Sequence, residues 1–356
     1  MIRTGDILDW LERPPVRATS PEPGRGPATH VVILDGTMSS LDPGSETNAG
    51  ITWRLLDEAR ATARLSLYYE PGLQWQGWSH ALDVAAGRGL NHQIRRAYGF
   101  LASRYTPGDR IFLFGYSRGA YAVRSLAGLI DRMGLLRRDE ATERAILLLY
   151  RHYQTDPDSP AARRLARRLC HSDTGIEMVG VWDTVKALGL QLPVIWRFTE
   201  IRHRFHNHHL GPAIRRGYHA LALDETRTVF EPVLWDTLPD WQGRVEQVWF
   251  RGAHGDIGGQ IGDFLDARPL SNIPLTWMLD KAETCGLPLP DGWRARFPCD
   301  PAAPMVGTWR AWGRIFLGRR RRIVGRDLSE QLHPTAMQPP GAHTPPERQS
   351  RSMSAP

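Results

Sequence analysis

The sequence of 356 residues predicts an α/β fold with a mainly parallel sheet and helices on both of its faces. Three observations favour this class. Short β-branched and aromatic runs alternate along the chain with segments of helical periodicity. The clearest strand candidates are continuously apolar, as strands buried in parallel sheets are. Hydrophobic residues make up 41% of the chain, enough for one large core.

The first predicted strand starts at His30, and its β-branched run ends at Asp35-Gly36-Thr37. Strand and helix then alternate, as a parallel sheet requires. The elements predicted next are a helix at about 51–63, a strand at 65–69 and a helix at 90–105.

A buried-type strand at 110–114 leads directly into Gly115-Tyr116-Ser117-Arg118-Gly119, and a helix is predicted from 120 to 133. G-x-S-x-G is a weak pattern in a chain with 34 glycines. Its place between a strand and a helix is typical of a nucleophile elbow, where bulky neighbours of the serine would collide with the adjacent strand and helix. We therefore predict that Ser117 is a nucleophile and that Gly115 and Gly119 permit its turn.

A serine hydroxyl needs an imidazole to take its proton and a carboxylate to orient that imidazole. Asp183 follows a buried-type strand at 176–181, and His254 follows the last clear strand, at 245–250. The carboxyl ends of parallel strands converge, so we predict Asp183 as the acid and His254 as the base. Alternatives stay open: Asp183 could cap a helix, the base could be His206 or His219, and Asp256 is an alternative acid that more simply braces its own loop.

Backbone N–H groups near Ser117 could stabilise an oxyanion. The N–H of Arg118 lies at a predicted helix N-terminus, where the helix dipole favours negative charge. Gly36 or Thr37, on the loop after the first strand, could supply a second donor.

No metal and no cofactor are expected. The histidine cluster lacks an H-E-x-x-H pattern and has few acidic neighbours; it comprises His203, His206, His208 and His209. Gly87-Arg88-Gly89 lacks the third glycine of a dinucleotide fingerprint and a clear preceding strand. The three cysteines are scattered, which indicates neither a disulfide framework nor a zinc site.

The net charge of +7 comes almost wholly from arginine, because Lys186 and Lys281 are the only lysines. Such a charge favours anionic partners, or it reflects the coding composition of the genome. The run at 319–322 is expected to form a solvated face, although it could meet lipid phosphates. No nucleic-acid-binding motif is present, so no nucleic acid partner is expected.

The predicted organisation is an extended Pro-rich lead-in at 1–29, a catalytic domain at 30–332, and a disordered tail at 333–356. Within the domain, arginine-rich helices at about 134–174 are predicted to form an insertion over the sheet, and another helix is predicted near 212–221. The sequence shows no secretory signal and no membrane span, so we expect synthesis and folding in the cytoplasm.

Six segments between about residues 30 and 290 occur in the order of a known family. They are VVILDGT at 31–37, FGYSRGAYAVRSLAGLI at 114–130, GVWDTVKALG at 180–189, YHALALDETRTVFEPVLW at 218–235, VWFRGAHGDIGG at 248–259 and SNIPLTWML at 271–279. They resemble the catalytic domain of the type VI secretion phospholipase effectors, a family of α/β hydrolases formerly described as a domain of unknown function. The resemblance implies an α/β-hydrolase-like fold, ester hydrolysis, and phospholipid substrates, with a similar pattern at Ser117, Asp183 and His254.

The function predicted is that of a serine-dependent carboxylic ester hydrolase, phospholipase-like, acting through an acyl-enzyme on a lipid or other ester. Partners consistent with the resemblance are an anionic membrane, a secretion component and an immunity protein, and delivery to other cells would follow for an effector. The alternative is a catalytically silent module that uses the same fold and its basic surface to bind a secretion component or an anionic membrane.

Overall fold

The structure is a computed structural model that describes residues 15–19, 26–72, 88–185, 209–238, 240–309 and 318–337. Its centre is an eight-stranded sheet. The strands are β1 (Val16–Thr19), β2 (Thr29–Leu34), β3 (Leu65–Glu70), β4 (Arg110–Tyr116), β5 (Ile176–Trp182), β6 (Arg216–Ala222), β7 (Arg244–Phe250) and β8 (Glu330–Leu332).

The strands lie in the order β1-β3-β2-β4-β5-β6-β7-β8. Neighbouring strands run parallel throughout, except that β1 pairs with β3 in the antiparallel direction. β4 and β5 occupy the middle of the sheet, and both are apolar along almost their whole length because neither of their faces meets water. The carboxyl ends of β4, β5, β6 and β7 therefore lie side by side at one edge.

Helices cover both faces of this sheet. The described α-helices are α1 (Asn48–Ala59), α2 (Arg88–Ala102), α3 (Arg118–Met133), α4 (Glu143–Thr155), α5 (Pro160–Leu169), α6 (His254–Gly258) and α7 (Arg268–Thr284). Buried residues of α2, α3, α4 and α5 form one apolar cluster, and those of α1 and α7 form a second cluster on the opposite face. The predicted α/β fold class, with a mainly parallel sheet between two helical layers, is confirmed.

The prediction of a helix near 212–221 is wrong, because Arg216–Ala222 forms β6 between β5 and β7. Alanine and leucine favour helices when a segment stands alone. Here two parallel neighbours take up the backbone hydrogen-bonding groups, and the pairing overrides that preference. A Cβ at Gly217 would lie 2.5 Å from a methyl carbon of Leu210, so the strand packs closely against the loop before it.

The segment predicted as an extended lead-in contains β1, whose four residues pair with β3. α4 and α5 lie in the segment predicted as a helical insertion, and Leu149 and Tyr153 of α4 join the apolar cluster beside α2 and α3. The described chain also runs five residues past 332, and the ring of His333 stacks on Phe250 at a centroid distance of 4.6 Å. Among the helices that the structure describes, none is both long enough and apolar enough to cross a membrane.

Candidate active site

Three predicted side chains meet at the carboxyl ends of three strands. Ser117 follows β4, Asp183 follows β5, and His254 opens α6 after β7. The Nε2 atom of His254 lies 2.8 Å from the Ser117 hydroxyl oxygen, and its Nδ1 atom lies 2.6 Å from Oδ2 of Asp183. All three residues are at least 94% buried. An imidazole held between a hydroxyl and a carboxylate can accept the hydroxyl proton while the carboxylate stabilises the resulting charge.

Ser117 sits on a strained turn between β4 and α3. Its φ of 57° and ψ of −121° lie outside the regions that L-residues normally occupy. The turn needs small neighbours, because a Cβ at Gly119 would lie 2.1 Å from the carbonyl oxygen of Leu34 and a Cβ at Gly115 would lie 2.7 Å from Cα of Ala120. This close packing against β2 and α3 holds the turn, and with it Ser117, in place.

Asp183 is also held in a left-handed conformation, with φ at 40°. Its carboxylate is fully buried, and Oδ1 accepts a hydrogen bond from the backbone N–H of Ala222 at 3.0 Å. Thr184 does not begin a helix, so the helix-capping alternative for Asp183 is not what the structure contains. Pairing with β6 also fixes the backbone of Asp183, whose N–H donates to the carbonyl oxygen of Ala220 at 2.7 Å.

The imidazole of His254 is packed between two aromatic rings. Phe230 stacks on it at 4.6 Å with an interplanar angle of 18°, and Tyr116 lies at 4.9 Å with an angle of 31°. The backbone N–H of His254 donates to Glu225 at 3.1 Å. These contacts restrict the ring orientation. Phe230 and Glu225 were not predicted as site residues, although both lie in the family-like segment at 218–235.

Two backbone N–H groups close to Ser117 in the fold have no hydrogen-bond partner in the described part of the chain. They belong to Arg118, which begins α3, and to Thr37, whose hydroxyl accepts from the Arg118 side chain at 2.7 Å. The N–H of Gly36 already has a hydrogen-bond acceptor, because it donates to Oδ1 of Asp35 at 2.6 Å. Of the two candidates for the second oxyanion donor, Thr37 is therefore the one whose N–H is free to bind an anion.

Asp35 organises the loop that carries this second donor. Besides the bond from Gly36, its Oδ2 accepts hydrogen bonds from the hydroxyls of Thr47 at 2.6 Å and Tyr69 at 2.7 Å. Burial raises the pKa of Asp35, although these three hydrogen bonds favour the carboxylate. Asp35 was recognised in the sequence as the end of a strand, and its role as the anchor of the loop becomes visible only from the contacts.

Arg322 contacts both oxygens of Asp183. Its Nη1 lies 2.5 Å from Oδ1 and its Nη2 lies 2.9 Å from Oδ2, and the Arg322 side chain is only 4% exposed. The prediction that the arginine run at 319–322 forms a solvated face is wrong for this residue. Burial by itself would raise the pKa of Asp183, but the Arg322 charge and the bond to His254 hold that pKa well below its usual range.

The two described alternative site residues, Asp256 and His219, bond groups other than the Ser117, His254 and Asp183 side chains. Asp256 accepts hydrogen bonds from the backbone N–H groups of Ala253 at 2.9 Å and Val306 at 2.7 Å, so it braces its own loop. His219 accepts a hydrogen bond from the N–H of Thr184 at 3.1 Å, and burial, assisted by the charge of Arg124, lowers its pKa to about 3. The third rival, His206, lies outside the described residues.

The described residues contain no group of three or more acidic, histidine or cysteine side chains that could hold a metal ion. Most of the histidine cluster considered above lies outside that part of the chain; the residues concerned are His203, His206 and His208. His209 is described, and its Nδ1 lies 3.3 Å from the carbonyl oxygen of Asp236.

Fold and site together define an α/β protein with a buried Ser-His-Asp cluster, formed by Ser117, His254 and Asp183, at the carboxyl edge of a parallel sheet. The model of the family described as "T6SS, Phospholipase effector Tle1-like, catalytic domain" matches residues 29–281. The chain belongs to this family, as its sequence motifs predict.

Several relatives and solved structures are similar to the chain. The uncharacterized protein YEL023C of Saccharomyces cerevisiae is 26% identical over 233 residues, which cover 59% of this chain and 33% of the yeast protein. A crystal structure of an uncharacterized Pseudomonas aeruginosa protein shares 16% identity over 78% of this chain and 49% of its own, with a TM-score of 0.42.

Two further solved structures are similar. The Tle1 effector bound to the VgrG spike of the type 6 secretion system shares 21% identity over 67% of this chain and 52% of its own, with a TM-score of 0.35. Apo esterase 2 of Thermogutta terrifontis shares 13% identity over 78% of this chain and 92% of its own, with a TM-score of 0.37. The chain thus spans about a third of the yeast relative and about half of the Pseudomonas protein and of the Tle1 effector.

Proposed function

We propose that this protein is a serine-dependent carboxylic ester hydrolase that removes acyl chains from phospholipids. The observation that carries the proposal is the position of the His254 ring, with Nε2 at 2.8 Å from the Ser117 oxygen and Nδ1 at 2.6 Å from Asp183. Both distances are within hydrogen-bonding range, and nucleophile, base and orienting carboxylate follow one another in the geometry that acyl transfer requires.

In the first half of the reaction, His254 takes the proton of the Ser117 hydroxyl as its oxygen attacks the ester carbonyl carbon. The negative charge that develops on the carbonyl oxygen is bound by the N–H groups of Arg118 and Thr37. His254 then returns the proton to the leaving alcohol as the ester C–O bond breaks, and an acyl group remains on Ser117. In the second half, water takes the place of the alcohol, and His254 accepts a proton from this water as the water oxygen attacks the acyl carbon. His254 then donates that proton to the Ser117 oxygen as the bond between this oxygen and the acyl carbon breaks, which releases the carboxylic acid and restores the Ser117 hydroxyl.

Membership of a family described as phospholipase effectors supports a phospholipid as the substrate. A solved neighbour, the Tle1 effector, is described as bound to the VgrG spike, which supports a secretion component as a partner and delivery into another cell as the setting. The net charge of +7 supports contact with an anionic membrane surface. An immunity protein that blocks the site would complete such a system.

The test is to incubate the purified protein with a fluorophosphonate probe, with p-nitrophenyl butyrate and with phosphatidylglycerol vesicles. We expect covalent labelling, ester turnover and fatty-acid release from the wild type, and none of the three from Ser117→Ala. Ser103→Ala serves as the matched control and should behave as the wild type does, because Ser103 is a half-buried residue just after the end of α2 whose hydroxyl bonds only Phe100 and Arg104 among the described residues. A wild type that neither reacts with the probe nor hydrolyses either substrate would sink the proposal. If such an inactive wild type still floated together with the vesicles, the result would favour the catalytically silent binding module.

A further inference from the structure

We propose that Arg322 is a positioning residue for the acid of the Ser-His-Asp cluster, supplied by a carboxyl-terminal arm that the chain folds back onto the site. The inference rests on the proposed function and extends it. Arg322 bonds Asp183 through both of its terminal nitrogens, at 2.5 and 2.9 Å. The same Nη1 also donates to the carbonyl oxygen of Ala222 at 2.9 Å, and Nη2 donates to the carbonyl oxygen of Phe230.

The carboxyl-terminal arm comprises residues 318–332, which lie beyond the family match at 29–281. Hydrogen bonds to the rest of the domain hold this arm at both of its ends. Near its start, the N–H of Arg320 donates to the carbonyl oxygen of Thr226 at 2.7 Å. Near its end, β8 pairs in parallel with β7, and Asp327 accepts hydrogen bonds from the N–H and hydroxyl of Thr237 at 2.7 and 2.6 Å. The arm therefore holds Arg322 in place from two sides.

A counter-ion is needed at this position. Asp183 has no exposed surface, and a buried carboxylate without a cation or enough donors is strongly disfavoured. Without Arg322, the described partners of this carboxylate would be the Ala222 N–H and the His254 ring. A planar guanidinium that binds both oxygens also fixes the plane of the carboxylate, which a single-point cation does not do. Oδ2 is thereby kept directed at Nδ1 of His254.

Arg322 also offsets the negative charge that would otherwise favour protonation of the cluster. Other charged groups near the imidazole are Glu225 and Arg227, which pair with each other at 2.6 Å. His219, which accepts a hydrogen bond from the N–H of Thr184, is neutral near pH 7 because burial lowers its pKa to about 3. Among the described residues, Arg322 is the only arginine or lysine that bonds Asp183, so removing the guanidinium leaves this carboxylate without such a partner. Without the Arg322 charge, which lowers the pKa of Asp183, proton binding by the Asp183 carboxylate moves to higher pH.

The test compares Arg322→Met with Arg320→Met, a neighbouring arginine on the same arm whose side chain is 61% exposed and bonds Glu231. We expect kcat for p-nitrophenyl butyrate to fall about 100-fold in Arg322→Met, since the base is misplaced. In the pH profile of kcat/KM, the acid limb should move about one pH unit upward, because the positive charge beside Asp183 is lost. Arg320→Met should retain the wild-type rate and profile.

Arg322→Lys decides the matter if the methionine variant does not fold. Lysine keeps the charge but loses the two-point contact, so we expect kcat about 10-fold lower with the acid limb unmoved. The downfield Nδ1 proton of His254, assigned by its loss in His254→Gln, reports protonation of the cluster by NMR without turnover. An inactive wild type would count against the proposed function, while the NMR titration would still test Arg322. Wild-type kcat in Arg322→Lys, or a folded Arg322→Met with an unmoved titration, would overturn the role proposed for Arg322.

Discussion

The backbone N–H of Ser117 donates a hydrogen bond to the carbonyl oxygen of Trp182 at 3.0 Å, one residue before Asp183. This bond continues the ladder between β4 and β5 past the end of β4. Both Ser117 and Asp183 leave their strands with positive φ, at 57° and 40°. Such conformations are costly and persist only where the surroundings enforce them. Two neighbouring strands thus fix the distance between the nucleophile and the acid before any side chain is considered.

Gly119→Ala should destabilise the protein and abolish ester hydrolysis. The added methyl carbon would stand 2.1 Å from the carbonyl oxygen of Leu34, and neither the strand nor the helix can yield. We expect a loss of about 3 kcal/mol in the free energy of unfolding, measured by urea denaturation. Gly99→Ala is the control, because its methyl group would face the flexible end of Ile146 at 3.1 Å in a helix that favours alanine. Equal stability of the two variants would contradict the packing described for the turn.

Asp183→Asn should lower kcat by about 10⁴-fold, because an amide cannot hold the imidazole in the tautomer that accepts the Ser117 proton. Asp256→Asn is the matched variant. Asp256 binds the backbone of its own loop, so its replacement should cost about 1–3 kcal/mol of stability and change kcat by less than about 10-fold. Steady-state kinetics and thermal melts separate the two effects. If Asp256→Asn were the more severe variant in kcat, the assignment of the acid would have to move to Asp256.

Asp35→Asn should lower kcat by about 10- to 100-fold with little change in KM. The amide group would direct donors at the Gly36 N–H or at the hydroxyls of Thr47 and Tyr69, and the loop carrying the Thr37 donor would shift. Asp57→Asn is the control, because Asp57 makes a surface ion pair with Arg60 that contributes little. Pre-steady-state bursts would show whether acylation slows. An unchanged acylation rate in Asp35→Asn would remove the loop from the mechanism.

His219→Gln should make the free energy of unfolding depend less on pH in the range below about pH 6.5. The folded pKa of His219 is about 3, below the unfolded value near 6.5. Above pH 6.5 neither state binds the proton, so His219 contributes no slope there. Between pH 6.5 and about 3 the unfolded state binds a proton that the folded state excludes. Wild-type stability therefore falls as pH falls, by up to about 1.4 kcal/mol per pH unit from this group.

A glutamine side chain at position 219 can accept a hydrogen bond from the Thr184 N–H and donate one to Gln247, as the His219 ring is placed to do. Unlike histidine, glutamine does not bind a proton in this pH range. Denaturation midpoints for wild type and variant, taken from pH 8 down to pH 3.5, should converge towards the acid end. The pH 8 values give the structural cost of the substitution, since both side chains are neutral there. Parallel curves for the two proteins would show that His219 is not the group responsible.

Much of the framework follows from local patterns. Continuous apolar runs predicted β4 and β5, and the glycines around Ser117 predicted the turn between β4 and α3. The strand ends also indicated Asp183 and His254, because parallel strands bring their carboxyl ends together. These inferences depend on periodicity and on neighbours a few residues apart, which a sequence displays directly.

The sequence by itself determined the fold class, the turn at Ser117 and the three side chains that the structure brings together. Tertiary structure alone decided that Arg216–Ala222 is a strand, that the N–H of Gly36 is bonded to Asp35 while that of Thr37 has no described partner, and that the Arg322 side chain is buried. Arginine in a charged run is ordinarily solvated, because desolvating its charge is unfavourable. The ion pair with Asp183, 139 positions earlier in the chain, offsets this desolvation penalty for Arg322. No local sequence pattern predicts this ion pair, because it forms only when the carboxyl-terminal arm folds back onto the sheet.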